Sequence, residues 1–463
     1  MIHKRVCGFV GGLTLALLCA ACGDPADPMR PSGVIAEVSE NIHTVVTVRW
    51  TTAVDTIGYV EFGPTREMTF NTPIETTPAK EHAATLLGLT ADTEIFYRVV
   101  SWDGGAAGAS GVATIRTGDL PVGMPSLTRV GDGHTGFVVV PVLSGGGSAA
   151  VLIINASGEI VWYHTDDRKL QFYRARLALD GKSLLYNAAN ISGEPSEASE
   201  LVRVPLDGST SGSSISVPLL AHDFVEHPDG TLAAIAVEER DFQGAPLRGN
   251  KIVEVATDGT QRTVWSSWDC FDPAVAPGDD PAMGWTFANA LDYDPVADVY
   301  YLGMRNFSSI ARINRQTRAC EWVLGLSAPT FTFAPGAARF LHQHQFHVRG
   351  NRILIMDNEG AVGNESRVLE YELDMANKVA TQVWSYVATP SVYTFVFGEP
   401  IRFDDGGTFV NWSAAGQMDR LDPAGNRVWK LNTGAGFVFG FQTLAGSLYP
   451  AAAPPPAGLA VSR

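Results

Sequence analysis

Along much of this chain, apolar residues occupy alternate positions in short runs, and the runs are cut by Gly, Asp, Pro and Thr. Between residues 34 and 117 the runs are NIHTVVTVRWTT, IGYVEFG, HAATLLGLT, TEIFYRVVSWD and ASGVATIRTG. A period of two turns one face of a strand to a core and the other to water, so this region predicts a small β-sandwich. No segment sustains a helical apolar period long enough to compete.

After a linker at 118–129 the pattern becomes a repeat. One copy runs HDFVEHPDGTLAAIAVEER and then NKIVEVATDGTQRTVWSS; another runs NALDYDPVADVYYLGMRNFSSIARINRQTRACEWVLG; a third runs HQFHVRGNRILIMDNEG and then SRVLEYELDMANKVATQVWSY. Each holds four strands separated by polar turns and closes on a Trp. With GHTGFVVV to EIVWYH, FYRARLALDGKSLLYN to ISVPLL, and IRFDDGGTFVNWSAAGQMDRLDPAGNRVWKL, six copies occupy residues 130 to 430, and GFVFGFQTLAGSLYP is left to supply a closing strand. A lone four-stranded repeat leaves its faces open, so the copies must stack radially: the fold class is all-β, a six-bladed β-propeller over 130–463 behind the sandwich at 34–117. Trp162, Trp265, Trp322, Trp384 and Trp429, at five of the six endings, are then packing residues.

Residues 1–22 read as a secretory leader: Lys4 and Arg5, an apolar run GFVGGLTLALLCAA, then Cys22 and the Pro-rich tether 23–33. LLCAAC resembles a bacterial lipoprotein processing site, with Cys22 as the lipidated residue, although Cys19 stands where Leu is usual. The expected location is therefore outside the cytoplasm: a periplasmic or outer-membrane-anchored lipoprotein, or an extracellular protein, with the membrane met only through the lipid. Net charge is −16, and loss of Lys4 and Arg5 leaves −18, which argues against nucleic acid as a partner. Beyond the leader only Cys270 and Cys320 remain, and in an oxidising compartment the expectation is a disulfide.

Polar side chains gather where inner strands begin: His222 and Asp223 in AHDF, Trp285 to Asn289 in WTFAN, and His342, His344 and His347 in HQHQFH, with Arg305 ending a second strand in YLGMRN. Radial symmetry turns their distant sequence positions into neighbours across one channel. Histidine there serves as acid, base or nucleophile near neutral pH, and Arg305 offers a fork of donors to an oxyanion. As a regular strand, the segment would place His342 and His344 on one face and His347 on the other. No HExxH, Cys pair, Gly-rich phosphate loop or GxSxG accompanies them, so no metal and no cofactor is expected. Ser308 and Ser309 read as turn and strand residues.

Two resemblances sharpen this reading. Residues 34–117 resemble a fibronectin type III-like module, with Trp50 and Tyr97 as its core aromatics. From 130 to 450, AHDFVEHPDGT, WTFANALDYDPVADVYYLGMRNFSSIARINRQTRACEWVLG, QHQFHVRGNRILIMDNEGAVGNESRVLEYELD and FVNWSAAGQMDRLDPAGNRVWKL resemble the bacterial arylsulfate sulfotransferase family. The resemblance implies a histidine nucleophile that takes the sulfuryl group of an aryl sulfate and passes it to a phenolic acceptor. It would cast His344 as nucleophile, Arg305 as sulfuryl binder, His222 as acid/base partner and Asn289 as donor, with Trp285, Phe287, His342 and His347 lining the substrate. Some relatives are dimers, so a homodimer is admitted. Phe287 departs from the family pattern, which has His there; a non-catalytic propeller that binds a small anionic or aromatic ligand or an envelope partner is the alternative expectation.

Overall fold

A computed structural model describes residues 27–144, 149–166, 170–190, 195–280, 283–360 and 365–450; Cys22 and the leader lie outside them. The N-terminal unit has seven strands arranged on one long member, Val46–Gly63. Its first half pairs with Ser32–Val38 and Ala79–Leu86, its second with Phe70–Asn71 and Glu94–Trp102. The sequence reads this member as two strands. It is one because AVDT between them contains no Gly or Pro to break it, and a register shift bends it from one set of partners to the other. Val46, Val48, Trp50, Val60, Phe62 and Tyr97 fill the core beneath it.

Six sheets follow. The first is Phe137–Ser144, Ala149–Asn155 and Ile160–Asp166, and its inner edge is supplied from the far end of the chain by Phe437–Phe439 and Thr443–Ala445. Blades two, three and four are simple four-stranded meanders that begin at Gln171, Leu220 and Ala288. The fifth begins at Phe346 and gains a short parallel strand, Thr332–Phe333. The sixth, from Glu399 to Thr433, carries Leu127–Gly131 as a fifth, outermost strand. The ring is therefore closed at two seams, by a C-terminal segment on the inside of blade one and an N-terminal one on the outside of blade six.

Two of the tryptophan endings act as staples between blades. Trp162 Nε1 donates to Leu206 O at 3.0 Å in blade two, and Trp429 Nε1 donates to Ala156 O at 2.9 Å in blade one. Both rings are buried, so each satisfies its only polar atom while burying a large apolar area. The N-terminal unit is seated on the propeller: His43 N donates to Tyr163 Oη, Thr44 Oγ1 to Val161 O and Asn41 Nδ2 to Gly208 O. Tyr449 Oη accepts from Leu87 N and donates to Thr85 O. Cys270 and Cys320 form a disulfide across blades three and four, with Cα atoms 6.1 Å apart and a sequence separation of 50.

At the centre the inner strands meet on a buried ion pair. Arg174 Nε and Nη2 donate to the two carboxylate oxygens of Asp223, at 2.9 and 3.3 Å, and Nη1 donates to Glu399 Oε2 and Gln442 O, both at 2.7 Å. Asp223 also accepts from Leu291 N at 3.0 Å and Gln345 Nε2 at 2.7 Å. Blades two to six and the closing segment of blade one all touch this hub. Arg174 holds the Asp223 carboxyl below its ordinary range against the desolvation that would raise it, whereas burial wins at Glu399, which is pushed up to about 6.

Two stability measurements check this picture. Removing the disulfide in a Cys270→Ser/Cys320→Ser protein is expected to lower unfolding free energy in urea by about 2–4 kcal/mol, from the entropy of the released loop. Arg174→Ala, which leaves the Asp223 charge buried without its partner, is expected to cost about 3–5 kcal/mol.

Candidate functional site

The residues just before the hub on each inner strand make the mouth of the channel: Tyr173 precedes Arg174, His222 precedes Asp223, His344 precedes Gln345 and Phe441 precedes Gln442. Asn289 joins this level, since Gln345 Nε2 also reaches its carbonyl at 3.3 Å. The backbone turns sharply to reach this level. Leu219, Phe287, His342 and Phe397 all have φ between +44° and +60°, a left-handed conformation costing such side chains about 1–2 kcal/mol each.

His344 is the best-defined member. Its Nδ1 stands 2.8 Å from Asn358 Oδ1. Asn358 in turn spends its amide on Thr394 O and Phe397 O, at 2.8 and 2.9 Å, so its oxygen is the atom facing the ring. An amide oxygen only accepts; His344 must therefore carry its proton on Nδ1 and keep the lone pair on Nε2. Nε2 has no hydrogen-bond partner among the described residues. Burial lowers the His344 pKa from 6.5 to about 3 against the Asn358 bond, with His222, Arg305 and His342 adding to the depression.

Arg305 sits in the short 3-10 turn Arg305–Phe307 after the second strand of blade four. Its Nη1 donates to Asn306 Oδ1 at 2.8 Å, and Nη2 is 3.9 Å from Glu359 Oε1, too far for a hydrogen bond. The remaining N–H groups have no hydrogen-bond partner among the described residues and suit an oxyanion. His222 is buried, its pKa lowered by desolvation to about 3, and its Nδ1 is enclosed without a partner. Phe287 meets the His222 ring edge-on, with centroids 4.9 Å apart, and its carbonyl accepts from Arg305 N. Phe397 and Phe441 pack 6.2 and 6.3 Å from the His344 ring and give this side an apolar wall.

Other expected residues have different surroundings. His342 and His344 do not share a strand face: the strand starts only at Phe346, and His342 lies in a turn held by the bond from its N to Ser308 Oγ. Its Nε2 is 2.5 Å from Asp279 Oδ2, and Nδ1 stands 2.9 Å from Glu359 Oε2 without hydrogen-bond alignment. Asn289 has already committed its amide to Gln343 O at 2.8 Å, so the group it leaves without a partner is the acceptor Oδ1, not a donor. Trp285 is a core ring, fully buried, with Nε1 donating to Ala276 O. His347 faces blade six and accepts from Arg402 N. Ser309 Oγ donates to Phe307 O, a structural role. Among the described residues no three His, Cys, Asp or Glu side chains are grouped to hold a metal ion.

The sequence reading missed Asn358, yet a signal existed. Asn187, Asn358 and Asn411, in LLYN, IMDN and TFVN, stand at or beside the ends of second strands, and Asn250 lies on a third strand. Each bonds to the inner strand of the next blade or its approach. A pocket of about 240 Å³ opens beside His222 and Phe287. A larger one, of about 420 Å³, lies between the N-terminal unit and blades one and two and contains none of the site residues, so its size does not make it the reaction site.

Comparison with known proteins follows the same boundaries. The family model described as Arylsulfotransferase (ASST) matches residues 128–433. No curated protein matches the sequence. Similar solved structures include a protein of unknown function from Bacteroides caccae, at 15% identity and TM-score 0.41 over 64% of this chain and 94% of that one. Another is the Pseudomonas aeruginosa periplasmic gluconolactonase PpgL, at 15% identity and TM-score 0.39 over 85% of this chain and 100% of that one. At such scores the likenesses say nothing about activity.

Histidine side-chain NMR checks the tautomer. His344 is expected as the Nδ1–H form; because its folded pKa lies near 3, it binds a proton only in strong acid and shows no titration near 6.5. In Asn358→Ala, which keeps no acceptor for Nδ1–H, the Nε2–H form is expected to become populated.

Proposed function

Because the chain belongs to the arylsulfotransferase family, whose activity is transfer from aryl sulfate donors to phenol acceptors, we propose that it moves a sulfuryl group by way of a sulfohistidine on His344. The observation that carries this reading is the His344–Asn358 bond, which leaves a neutral lone pair on Nε2; Arg305, whose charge helps lower the His344 pKa, keeps donors uncommitted among the described residues. In the first half-reaction Nε2 attacks sulfur, the N–S bond forms, and the S–O bond to the ring breaks with its electron pair leaving on the phenolate. In the second, the acceptor oxygen attacks sulfur, the N–S bond returns its pair to Nε2, and the acceptor's proton balances the phenolate already released. The aryl sulfate is itself the donor, so no phosphoadenosyl carrier enters.

Arg305 binds the sulfuryl oxygens in this scheme and offsets charge as the S–O bond lengthens. His222 stands at the aryl oxygen. His342, bonded to Asp279 and with Nδ1 2.9 Å from Glu359, is a positioning residue on the side of Arg305 where Glu359 stands. Phe287 offers a ring face and no proton. The leader and Cys22 support an exported, lipid-anchored protein, with the N-terminal unit as a fibronectin type III-like spacer between anchor and propeller.

Incubation with a chromogenic aryl sulfate alone is expected to add the mass of one sulfuryl group to a peptide containing His344, and an acceptor phenol is expected to discharge it. His344→Asn should lose both adduct and turnover, and Arg305→Ala should slow adduct formation by about 10²- to 10³-fold. Turnover without any adduct would refute the sulfohistidine, and neither adduct nor turnover across a panel of donors would refute the transferase.

A further inference from the structure

Arg305, the group suited to an anion, has a carboxylate for a neighbour, and binding an anion gives no reason for one. Glu359 Oε1 lies 3.9 Å from Arg305 Nη2, and Glu359 Oε2 lies 2.9 Å from His342 Nδ1. Asp279 puts a second carboxylate on the same His342 ring. The fold sets this arrangement from both sides. Glu359 N donates to Leu341 O, and the residue before it is Asn358, whose amide is clamped to Thr394 O and Phe397 O. Arg305 Nη1 donates to Asn306 Oδ1, and Asn306 Nδ2 donates to Asp280 O and Gly284 O at 2.8 and 2.6 Å. The guanidinium thus spends its near hydrogen bond on a neutral amide, and Glu359 stands too far off to take an N–H from it.

Glu359 nevertheless acts on whatever Arg305 holds. Both two-pronged grips of a guanidinium, through Nε and Nη2 or through Nη1 and Nη2, use Nη2. An oxyanion oxygen bonded there at about 2.8 Å stands within about 7 Å of Glu359 Oε1, inside the Debye length of about 8 Å at physiological salt. The repulsion scales with the charge of the guest, so a dianion loses about twice as much as a monoanion. A sulfate ester has one negative charge, whereas a phosphate ester of the same shape has nearly two at neutral pH. We propose that Glu359 is the specificity residue of this site: it lets a monoanionic sulfuryl ester onto Arg305 and turns away the dianionic phosphoryl ester that matches it in shape. The proposal rests on the transfer reading above in taking Arg305 as the anion binder, and adds to it the residue that selects by charge.

The test measures binding of benzylsulfonate and benzylphosphonate to the full chain by isothermal titration calorimetry, at low salt and at an alkaline pH where the phosphonate is a dianion. Carbon replaces the bridging oxygen in both, so neither can transfer its group and the result does not depend on turnover. The unaltered protein is expected to prefer the sulfonate. Glu359→Gln, which removes the charge and keeps the shape, is expected to lower that preference about tenfold by tightening the phosphonate, a modest factor because solvent screens a half-exposed carboxylate. Glu359→Asp, which keeps the charge, is expected to keep the preference. Equal affinities in the unaltered protein, a preference that survives Glu359→Gln, one that is lost in Glu359→Asp as well, or no binding of either ligand overturns the proposal. Mass gained on the His344 peptide from an aryl sulfate is read separately: its absence across donors refutes the transfer reading, and the two affinities still decide the role of Glu359.

Discussion

Everything at the channel mouth depends on the ion pair between Arg174 and Asp223. Two charges without water are stable only when every donor and acceptor finds a partner, and here the partners come from all six blades. Each blade is therefore held not just to its neighbours but to a common point. The residue before each hub member is fixed in turn, and His222 and His344 are two such residues. A buried pair of this kind gains little net stability over an apolar plug, yet it specifies geometry, because its hydrogen bonds are satisfied in one arrangement of the ring.

Above the hub, the design is a division of labour among asparagines. Each clamps the inner strand of the following blade or the approach to it, and at Asn358 the same clamp also orients the His344 imidazole. A residue whose amide is consumed by carbonyls can present only oxygen, so architecture dictates proton position. The left-handed turns at Phe287 and His342 add to this by pointing side chains at the channel from backbone that has left the strand, at a strain that the hub and the clamps hold in place.

How much of this was legible in the sequence follows from what is local and what is not. Strand alternation, the DG turns and the Trp endings are local, so six blades and a closing tail could be read directly; the disulfide followed from two cysteines and a leader. His222, His344 and Arg305 come together because the repeat sets their places. What could not be read depends on contacts between repeats. The outer strand Leu127–Gly131 looks like linker until blade six pairs with it. Trp285 lies two residues from Phe287, yet the turn between them sends one ring to the core and the other to the mouth. Asn289 looked like an anion donor because nothing in WTFAN says that Gln343 will claim its amide.

The two-seam closure has a consequence for how such a protein comes into being. Blade one lacks its inner edge until residues beyond 436 arrive, and contacts such as Thr443 Oγ1 to Ala175 O span 268 positions. A chain made from its N-terminus delivers blades two to six and three strands of blade one before the ring can lock, and the Arg174 hub waits for Gln442 to reach it. Long-range closure of this sort is slow, and the open edge of blade one is a strand template in the meantime. The channel mouth is thus among the last things to exist, so truncation near the C-terminus unmakes the hub and exposes a sticky edge in the same event.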